Sequence, residues 1–153
     1  MDSCCQNHFQ KSATFVRCPV CHQKGKSVQI ITIKALLHPQ ALETIDPESN
    51  YAFCSNSFCE VVYFNGVQFY GKDSLKVLVY QKDDALDVPV CYCFGWTRKR
   101  LIQAIRSSQN PVEFIREHVL ANRCGCEVNN PQGSCCLGNV TKFIQSIDKG
   151  SSG

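Results

Sequence analysis

The chain has 153 residues, including twelve cysteines, and its 16 Lys and Arg residues exceed its 13 Asp and Glu residues to give a formal net charge of +3. This length suits one domain of ordinary size or two small ones, and small units commonly need metals or disulfides to be stable. The N-terminal residues are polar, unlike a signal peptide, and no apolar stretch approaches the ~20 residues that cross a bilayer. We therefore expect a cytoplasmic protein with no membrane insertion.

Closely spaced cysteines in a reducing compartment are metal ligands more often than disulfide partners, so we expect these cysteines to bind metals. Four thiolates around Zn²⁺, like four around an oxidised two-iron cluster, leave a net charge of about −2. Two such sites would bring the formal net charge of +3 down to about −1. The metal-loaded protein would then not be basic, so its charge gives no reason to expect a nucleic-acid partner. The sequence shows no Ser/His/Asp set, phosphate-binding loop or paired carboxylates, so we expect neither hydrolysis nor phosphoryl transfer.

Residues 1–16 are polar with scattered apolar positions and include Cys4 and Cys5. We interpret them as a mobile N-terminal tail with incidental thiols, because chain termini are often disordered. A dithiol that transfers metal is the alternative, and the sequence leaves both interpretations open. His8 and His22 each lie near cysteines, but a lone histidine beside a ligand is more often a neighbour, so neither is counted as a ligand.

The next signal is a zinc knuckle. Cys18 and Cys21 form a Cys-x-x-Cys turn with a glycine-containing turn after it, and Cys54 and Cys59 supply the matching half after 32 intervening residues. Four such sulfurs are the ligand set of a structural zinc site. A thioredoxin-type redox motif is the alternative for the first pair, but the sequence lacks the preceding strand and the βαβ pattern that this motif requires.

Residues 17–85 are predicted to form a β-rich zinc-binding half. The β-branched run 27–34 predicts a strand, the proline-containing segment 35–50 predicts a loop, and 75–80 predicts a further strand. Asn65-Gly66 between apolar runs predicts a hairpin. The aromatic residues are assigned to the sheet core rather than to base stacking, because the basic residues of a nucleic-acid groove are sparse. The aromatic residues assigned to the sheet core are Phe53, Phe58, Tyr63, Phe64, Phe69 and Tyr70.

Residues 86–148 are predicted to form a helical half, and 149–153 a flexible tail. Thr97 is predicted to cap a helix that runs to residue 106, and Asn110, followed by Pro111, predicts the start of a second. The second helix is predicted to turn an apolar face to the core, and a last helix is predicted over 137–147 from apolar residues at period 3.6. The apolar face of the second helix comprises Phe114, Ile115, Val119 and Leu120. The predicted fold class is α+β, a small zinc-knuckle β-sheet half followed by a helical half.

Six cysteines between residues 91 and 136 form a second constellation in the helical half. They are arranged as two Cys-x-Cys pairs and one vicinal pair, namely Cys91/Cys93, Cys124/Cys126 and Cys135/Cys136. A two-iron cluster needs four thiolates around a compact inorganic core, and each Cys-x-Cys pair can offer two from one bent loop. Gly95, Gly125 and Gly133 lie where the backbone has to bend. We therefore interpret this half as an iron–sulfur site.

The motifs together resemble the N-terminal domain of CopZ-type copper chaperones. The resemblance rests on Val90–Thr97, the two-helix spacer, 123–126 and 130–140, together with the zinc knuckle, and it covers residues 15 to 147. The cluster half alone also resembles bacterioferritin-associated ferredoxin-like domains. The resemblance implies one [2Fe-2S] cluster and one zinc ion in a protein of copper handling.

Carried over to this sequence, the resemblance implies that Cys91, Cys93, Cys126 and Cys136 bind the [2Fe-2S] cluster, with Cys124 and Cys135 as alternates. The two remaining sulfurs would be thiols beside the cluster, suited to a soft ion such as Cu(I). Full-length members of the family continue into a ferredoxin-like domain with a Met-x-Cys-x-x-Cys motif, which the sequence does not show. We therefore do not expect direct delivery of copper to an export ATPase.

Three functions remain as hypotheses, and for the first two we expect no nucleic-acid partner. The first is an iron–sulfur and zinc protein of copper homeostasis, in which the [2Fe-2S] cluster transfers one electron at a time and reduces Cu(II) to Cu(I), with copper or a copper-handling redox protein as partner. The second is a small ferredoxin-like electron-transfer or redox-sensing protein unrelated to copper. The third is a structural zinc interaction module. The first two describe a redox protein rather than a conventional enzyme.

Overall fold

The computed structural model describes residues 17–151, with side chains as far as residue 147, and has an α+β fold. The predicted N-terminal tail, with Cys4, Cys5 and His8, lies outside the described residues. The N-terminal half contains four strands, two helices and a 3-10 turn at Lys72–Ser74. They are β1 Lys26–Val28, α1 Ile30–Leu36, α2 Pro39–Leu42, β2 Tyr51–Phe53, β3 Val61–Phe64 and β4 Phe69–Gly71.

The four strands pair in the order β1-β2-β3-β4, and every pairing is antiparallel. One side of this sheet packs on α1 around a core that includes Ile33, Leu37, Phe53 and Tyr63. A separate small core beside the sheet contains the zinc-knuckle cysteines and Phe64. The sheet thus joins the main core to the predicted zinc site.

The strand predicted over 27–34 is wrong beyond its first residues. The strand β1 ends at Val28, and the chain then turns into helix α1. Within α1, Thr32, Ile33 and Leu36 are buried at the spacing of one helical face. The β-branched residues favour a strand locally, but packing of this face decides the conformation.

The Asn65-Gly66 hairpin is confirmed. Strands β3 and β4 are joined through a turn in which the Asn65 N–H donates to the carbonyl of Gln68 at 3.1 Å, and Gly66 adopts a positive φ of 97°. The loop predicted over 35–50 contains the short helix α2, and residues 75–80 form no strand apart from one bridge between Leu37 and Leu75. Those two segment predictions are therefore wrong in part.

The C-terminal half contains a two-stranded sheet and four helices. These elements are β5 Pro89–Cys91, β6 Trp96–Thr97, α3 Arg98–Arg106, α4 Pro111–Leu120, α5 Cys126–Asn129 and α6 Leu137–Ser151. Both predicted caps are confirmed, because the Thr97 side chain accepts from the Arg100 N–H and the Asn110 side chain from the Glu113 N–H. The last helix begins where predicted but extends to residue 151, into the segment predicted as a tail.

Four apolar side chains assigned to cores by pattern are instead exposed. Phe58 is 96% exposed, Leu120 77%, Phe69 50% and Phe114 48%. The other aromatic residues assigned to the sheet, Phe53, Tyr63, Phe64 and Tyr70, are buried. Residues at the ends of elements or in metal-binding loops can thus lie outside the core that their hydrophobicity suggests.

None of the helices in the described part of the chain is both long and apolar enough to span a bilayer.

Gly25 offers a test of the packing next to the zinc knuckle. A Cβ at this position would lie 2.5 Å from Cζ of Phe64 and 2.8 Å from Cβ of Ala52, and both of those residues are buried. We expect Gly25→Ala to lower the free energy of unfolding by about 1–3 kcal/mol, as overpacking does in other cores. Urea unfolding of the zinc-loaded protein measures this change.

Gly138→Ala is the matched control. Gly138 lies in α6, and a Cβ there would meet nothing within 4 Å. Because alanine loses less conformational freedom in a helix, we expect this variant to gain about 0.5–1 kcal/mol. Equal losses in the two variants would contradict the packing described for Gly25.

Candidate metal centres

The four cysteines predicted to bind zinc converge on one site. The sulfurs of Cys18, Cys21, Cys54 and Cys59 all lie within 4.8 Å of one another. The Cys18–Cys59 and Cys21–Cys54 sulfur separations are 3.8 Å and 3.7 Å. A tetrahedral zinc with Zn–S bonds of about 2.3 Å requires sulfur–sulfur edges of about 3.8 Å. The geometry and the donor set therefore fit zinc.

Local hydrogen bonds shape the two loops that present these sulfurs. The His22 N–H donates to the Cys18 carbonyl at 2.9 Å, and His22 itself adopts a positive φ of 65° that closes the turn. In the second loop, the Asn56 side chain accepts from the Phe58 N–H at 3.0 Å, and the Cys59 N–H donates to the Asn56 carbonyl at 3.1 Å. Each loop is thus a tight turn with a cysteine near either end.

The thiols of this site differ in acidity. A hydrogen bond from the Asn56 side chain lowers the pKa of Cys21 to about 6. Burial raises the pKa of Cys54 to about 12 and also raises the pKa of Cys59. Because zinc binds thiolates, loading the site must release the protons that the buried thiols hold at neutral pH.

Lys82 is a component of the site that the sequence analysis missed. Its side chain is buried, and its ammonium donates to the carbonyls of Asn56 and Cys59 at 2.7 and 3.0 Å and to the Cys54 sulfur at 3.6 Å. Burying an ammonium is costly unless a negative group lies nearby. The Cys54 sulfur is the described partner that can carry this charge, so Lys82 fits an anionic thiolate site. No motif marks it, since it lies 23 residues after Cys59 in a segment without a recognisable pattern.

The late cysteines form a second sulfur-rich site in the core of the C-terminal half. The sulfurs of Cys93 and Cys126 are 3.5 Å apart, and Cys136 is hydrogen-bonded to both Cys126 and Cys91. These contacts link the four sulfurs in the order 93–126–136–91. A two-iron cluster needs two pairs of thiolates, one for each iron, with two sulfides between the irons. The donor set fits such a cluster.

Hydrogen bonds also surround these sulfurs. The Gly125 N–H donates to the Cys93 sulfur at 3.1 Å, and the Asn129 amide approaches it at 3.6 Å. A hydrogen bond with Cys126 raises the pKa of Cys93, while one with Cys136 lowers the pKa of Cys91. Hydrogen bonds to cluster sulfurs are one of the means by which proteins set a reduction potential.

The alternates Cys124 and Cys135 occupy different positions. Cys124 packs against the same core but is disulfide-bonded in the structure, while Cys135 is half-buried and precedes Cys136 in the chain. The two sulfurs that the structure brings beside Cys91 and Cys93 are therefore those of Cys126 and Cys136.

Two of the three glycines singled out in this half serve the bends expected of them. Gly95 and Gly133 adopt positive φ values of 70° and 73°, whereas Gly125 has an ordinary φ of −139°. Gly95 returns the chain from the first cysteine pair to β6 and Gly133 precedes the last pair. Gly125 instead supplies the N–H that approaches the Cys93 sulfur.

Comparisons with known proteins agree with this arrangement. Residues 16–76 match the CopZ family model described as a zinc binding domain. The chain is 34% identical over 123 residues to the copper chaperone CopZ of Archaeoglobus fulgidus, an alignment that covers 79% of this chain. The chain spans 58% of the length of that relative.

The X-ray structure of the Archaeoglobus fulgidus CopZ N-terminal domain is similar throughout. Its TM-score is 0.70 at 33% identity, and the match covers 84% of this chain and 98% of that domain. The likeness therefore includes both the zinc-knuckle half and the helical half. The chain belongs to the family of CopZ N-terminal domains.

Proposed function

We propose that this protein is a two-centre metal protein of copper homeostasis that transfers single electrons. Cys18, Cys21, Cys54 and Cys59 hold zinc, and Cys91, Cys93, Cys126 and Cys136 hold a [2Fe-2S] cluster. The observation that carries the proposal is the second site, where four thiols from separate parts of the chain meet in a buried core with hydrogen bonds to their sulfurs. A structural zinc site is already provided by the first four cysteines, so it does not account for this second set.

The two metal centres have different roles. Zinc has no redox chemistry, and its cysteines join the turn that precedes β1 to the loop between β2 and β3. When bound, a two-iron cluster supplies one electron at a time, which is the stoichiometry of reducing Cu(II) to Cu(I). Cu(I) is a soft ion that prefers thiolate ligands, and Cys135 offers a thiol next to the cluster-binding Cys136. Copper is the substrate in this proposal rather than a resident cofactor.

The second candidate function is that of a small electron-transfer protein unrelated to copper. A groove beside the loop that carries Cys91 and Cys93 favours this function. The groove has a volume of about 660 Å³ and is lined partly by Phe94, Trp96, Arg100, Phe114 and His118. The Arg100 guanidinium stacks over the Trp96 ring at 3.7 Å, and the Phe94 and His118 rings lie 4.8 Å apart. Phe94 directly follows Cys93, so a redox partner seated here would lie near the cluster.

Anaerobic purification with metal analysis and electron paramagnetic resonance tests the proposal. We expect a red-brown protein with about two irons and about one zinc, and a signal that develops when dithionite reduces the cluster. Cu(II) added to the reduced protein should oxidise the cluster and be retained as Cu(I). Inertness toward Cu(II) would favour the second candidate, and a colourless protein with zinc in both halves would rule out electron transfer.

The choice of cluster ligands can be tested at the vicinal pair. We expect Cys136→Ser to lose the [2Fe-2S] absorbance and the reduced-state resonance, because the sulfur of Cys136 contacts Cys126 and Cys91. Cys135→Ser is the matched control, since it changes the neighbouring residue in the same way, and it should retain the cluster. The reverse result would assign the ligand to Cys135.

Lys82→Met tests the charge beside the zinc site. The substitution keeps a long side chain but removes the ammonium that approaches Cys54, so we expect the zinc affinity to fall by about tenfold to a hundredfold, as for other partners of metal ligands. Competition with a chromogenic chelator measures this affinity.

Lys76→Met is the control for this substitution. Lys76 is an exposed lysine of the same half, and its ammonium donates to the Ala35 carbonyl rather than to the zinc loops. The zinc affinity of this variant should stay at the wild-type value. Equal affinities in both variants would show that the Lys82 charge does not support the thiolates.

A further inference from the structure

The segment 127–135, which connects Cys126 to Cys136, is held by the zinc half. We call it the connecting segment. The Tyr63 hydroxyl donates to the Pro131 carbonyl at 2.6 Å, and the Thr32 hydroxyl donates to the Glu127 carbonyl at 2.6 Å. Tyr63 lies on β3 and Thr32 on α1, and both side chains are fully buried. Both donors thus belong to the core that α1 and the four-stranded sheet build.

Other contacts follow the same pattern. The Lys26 ammonium donates to the Ser134 hydroxyl at 3.1 Å. Gly133 lies so close to α1 that a Cβ there would be 3.2 Å from the Thr32 hydroxyl oxygen. The connecting segment therefore lies against the zinc half along most of its length.

The first cysteine pair is tied to the zinc half by a different route. Tyr92, between Cys91 and Cys93, donates its hydroxyl hydrogen to the Leu78 carbonyl and accepts from the Tyr80 N–H at 2.9 Å. Two residues further on, Lys82 donates to carbonyls of the second zinc loop, those of Asn56 and Cys59. Both pairs of proposed cluster ligands are thus attached to structure that the zinc half provides.

We propose that Tyr63 and Thr32 are positioning residues of the iron–sulfur centre, and that the zinc half is the scaffold on which the cluster assembles and is retained. The inference rests on the proposed function, because it concerns the cluster held by Cys126 and Cys136. By holding two carbonyls of the connecting segment, these residues fix the separation of the two sulfurs. A cluster binds tightly only where its ligands are held to within about half an ångström.

Tyr63→Phe removes one hydroxyl and leaves the Pro131 carbonyl buried without this donor. Tyr70→Phe is the matched control. Tyr70 is a buried tyrosine of β4, but its hydroxyl contacts Thr44 and Gln68 within the zinc half. A general loss of stability in the sheet would affect both variants, whereas a positioning role concerns Tyr63 alone.

The experiment reconstitutes the wild type, Tyr63→Phe and Tyr70→Phe with iron and sulfide under anaerobic conditions. Cluster loss to an iron chelator is followed by visible absorbance, at a temperature where far-UV circular dichroism shows all three to be folded and metal analysis shows equal zinc. We expect Tyr63→Phe to lose its cluster about tenfold faster than Tyr70→Phe, the factor expected for one buried, unsatisfied carbonyl.

The outcomes separate the two levels of the proposal. A wild type that takes up no iron overturns the proposed function and the inference with it. Equal rates of cluster loss in Tyr63→Phe and Tyr70→Phe, from a wild type that carries the cluster, overturn the inference alone. If Tyr63→Phe does not fold, the pair Thr32→Val and Thr44→Val replaces it, because Thr32 donates to the connecting segment and Thr44 to the Ala41 carbonyl within the zinc half. A faster loss in Thr32→Val supports the inference, and equal losses overturn it.

Discussion

The structure depends on the convergence of four sulfurs from two loops that lie far apart in the sequence. Cys18 and Cys21 meet Cys54 and Cys59 with all sulfurs within 4.8 Å of one another. Thiolates at such distances repel one another, so a bound cation is the natural way to hold them together. Lys82 adds a second positive charge at the same place. The second loop connects β2 to β3, so this site lies directly beside the antiparallel pairing of these two strands.

The helical half uses sulfur differently. Contacts through the core link its thiols in the order 93–126–136–91, and backbone and amide N–H groups point at Cys93. Burial and hydrogen bonds to sulfur both act on the reduction potential of an iron–sulfur cluster. The likeness to the CopZ N-terminal domain covers 84% of this chain and so includes this half as well as the zinc-knuckle half.

The two halves of the chain contain different sets of cysteines, but hydrogen bonds connect them in the folded structure. Buried hydroxyls of Thr32 and Tyr63 donate to the carbonyls of Glu127 and Pro131, at either end of a five-residue stretch of the helical half, and Tyr92 is held between Leu78 and Tyr80. Such polar contacts are satisfied only when both halves are folded, because a buried carbonyl without a donor is costly. The arrangement of the late cysteines is therefore a product of the whole chain rather than of the cysteine-rich segment alone.

Local chemistry determined the features that need only neighbouring residues. The Cys-x-x-Cys turn, the Asn65-Gly66 hairpin and the caps at Thr97 and Asn110 all follow from short-range geometry, and the sequence by itself predicted them. The helical conformation of α1, the exposure of Phe58 and the role of Lys82 were decided only by tertiary structure. The helix and the lysine each depend on a partner distant in sequence, and Phe58 is exposed because no such partner in the described part of the chain covers it, since burial and charge compensation are set by what packs nearby.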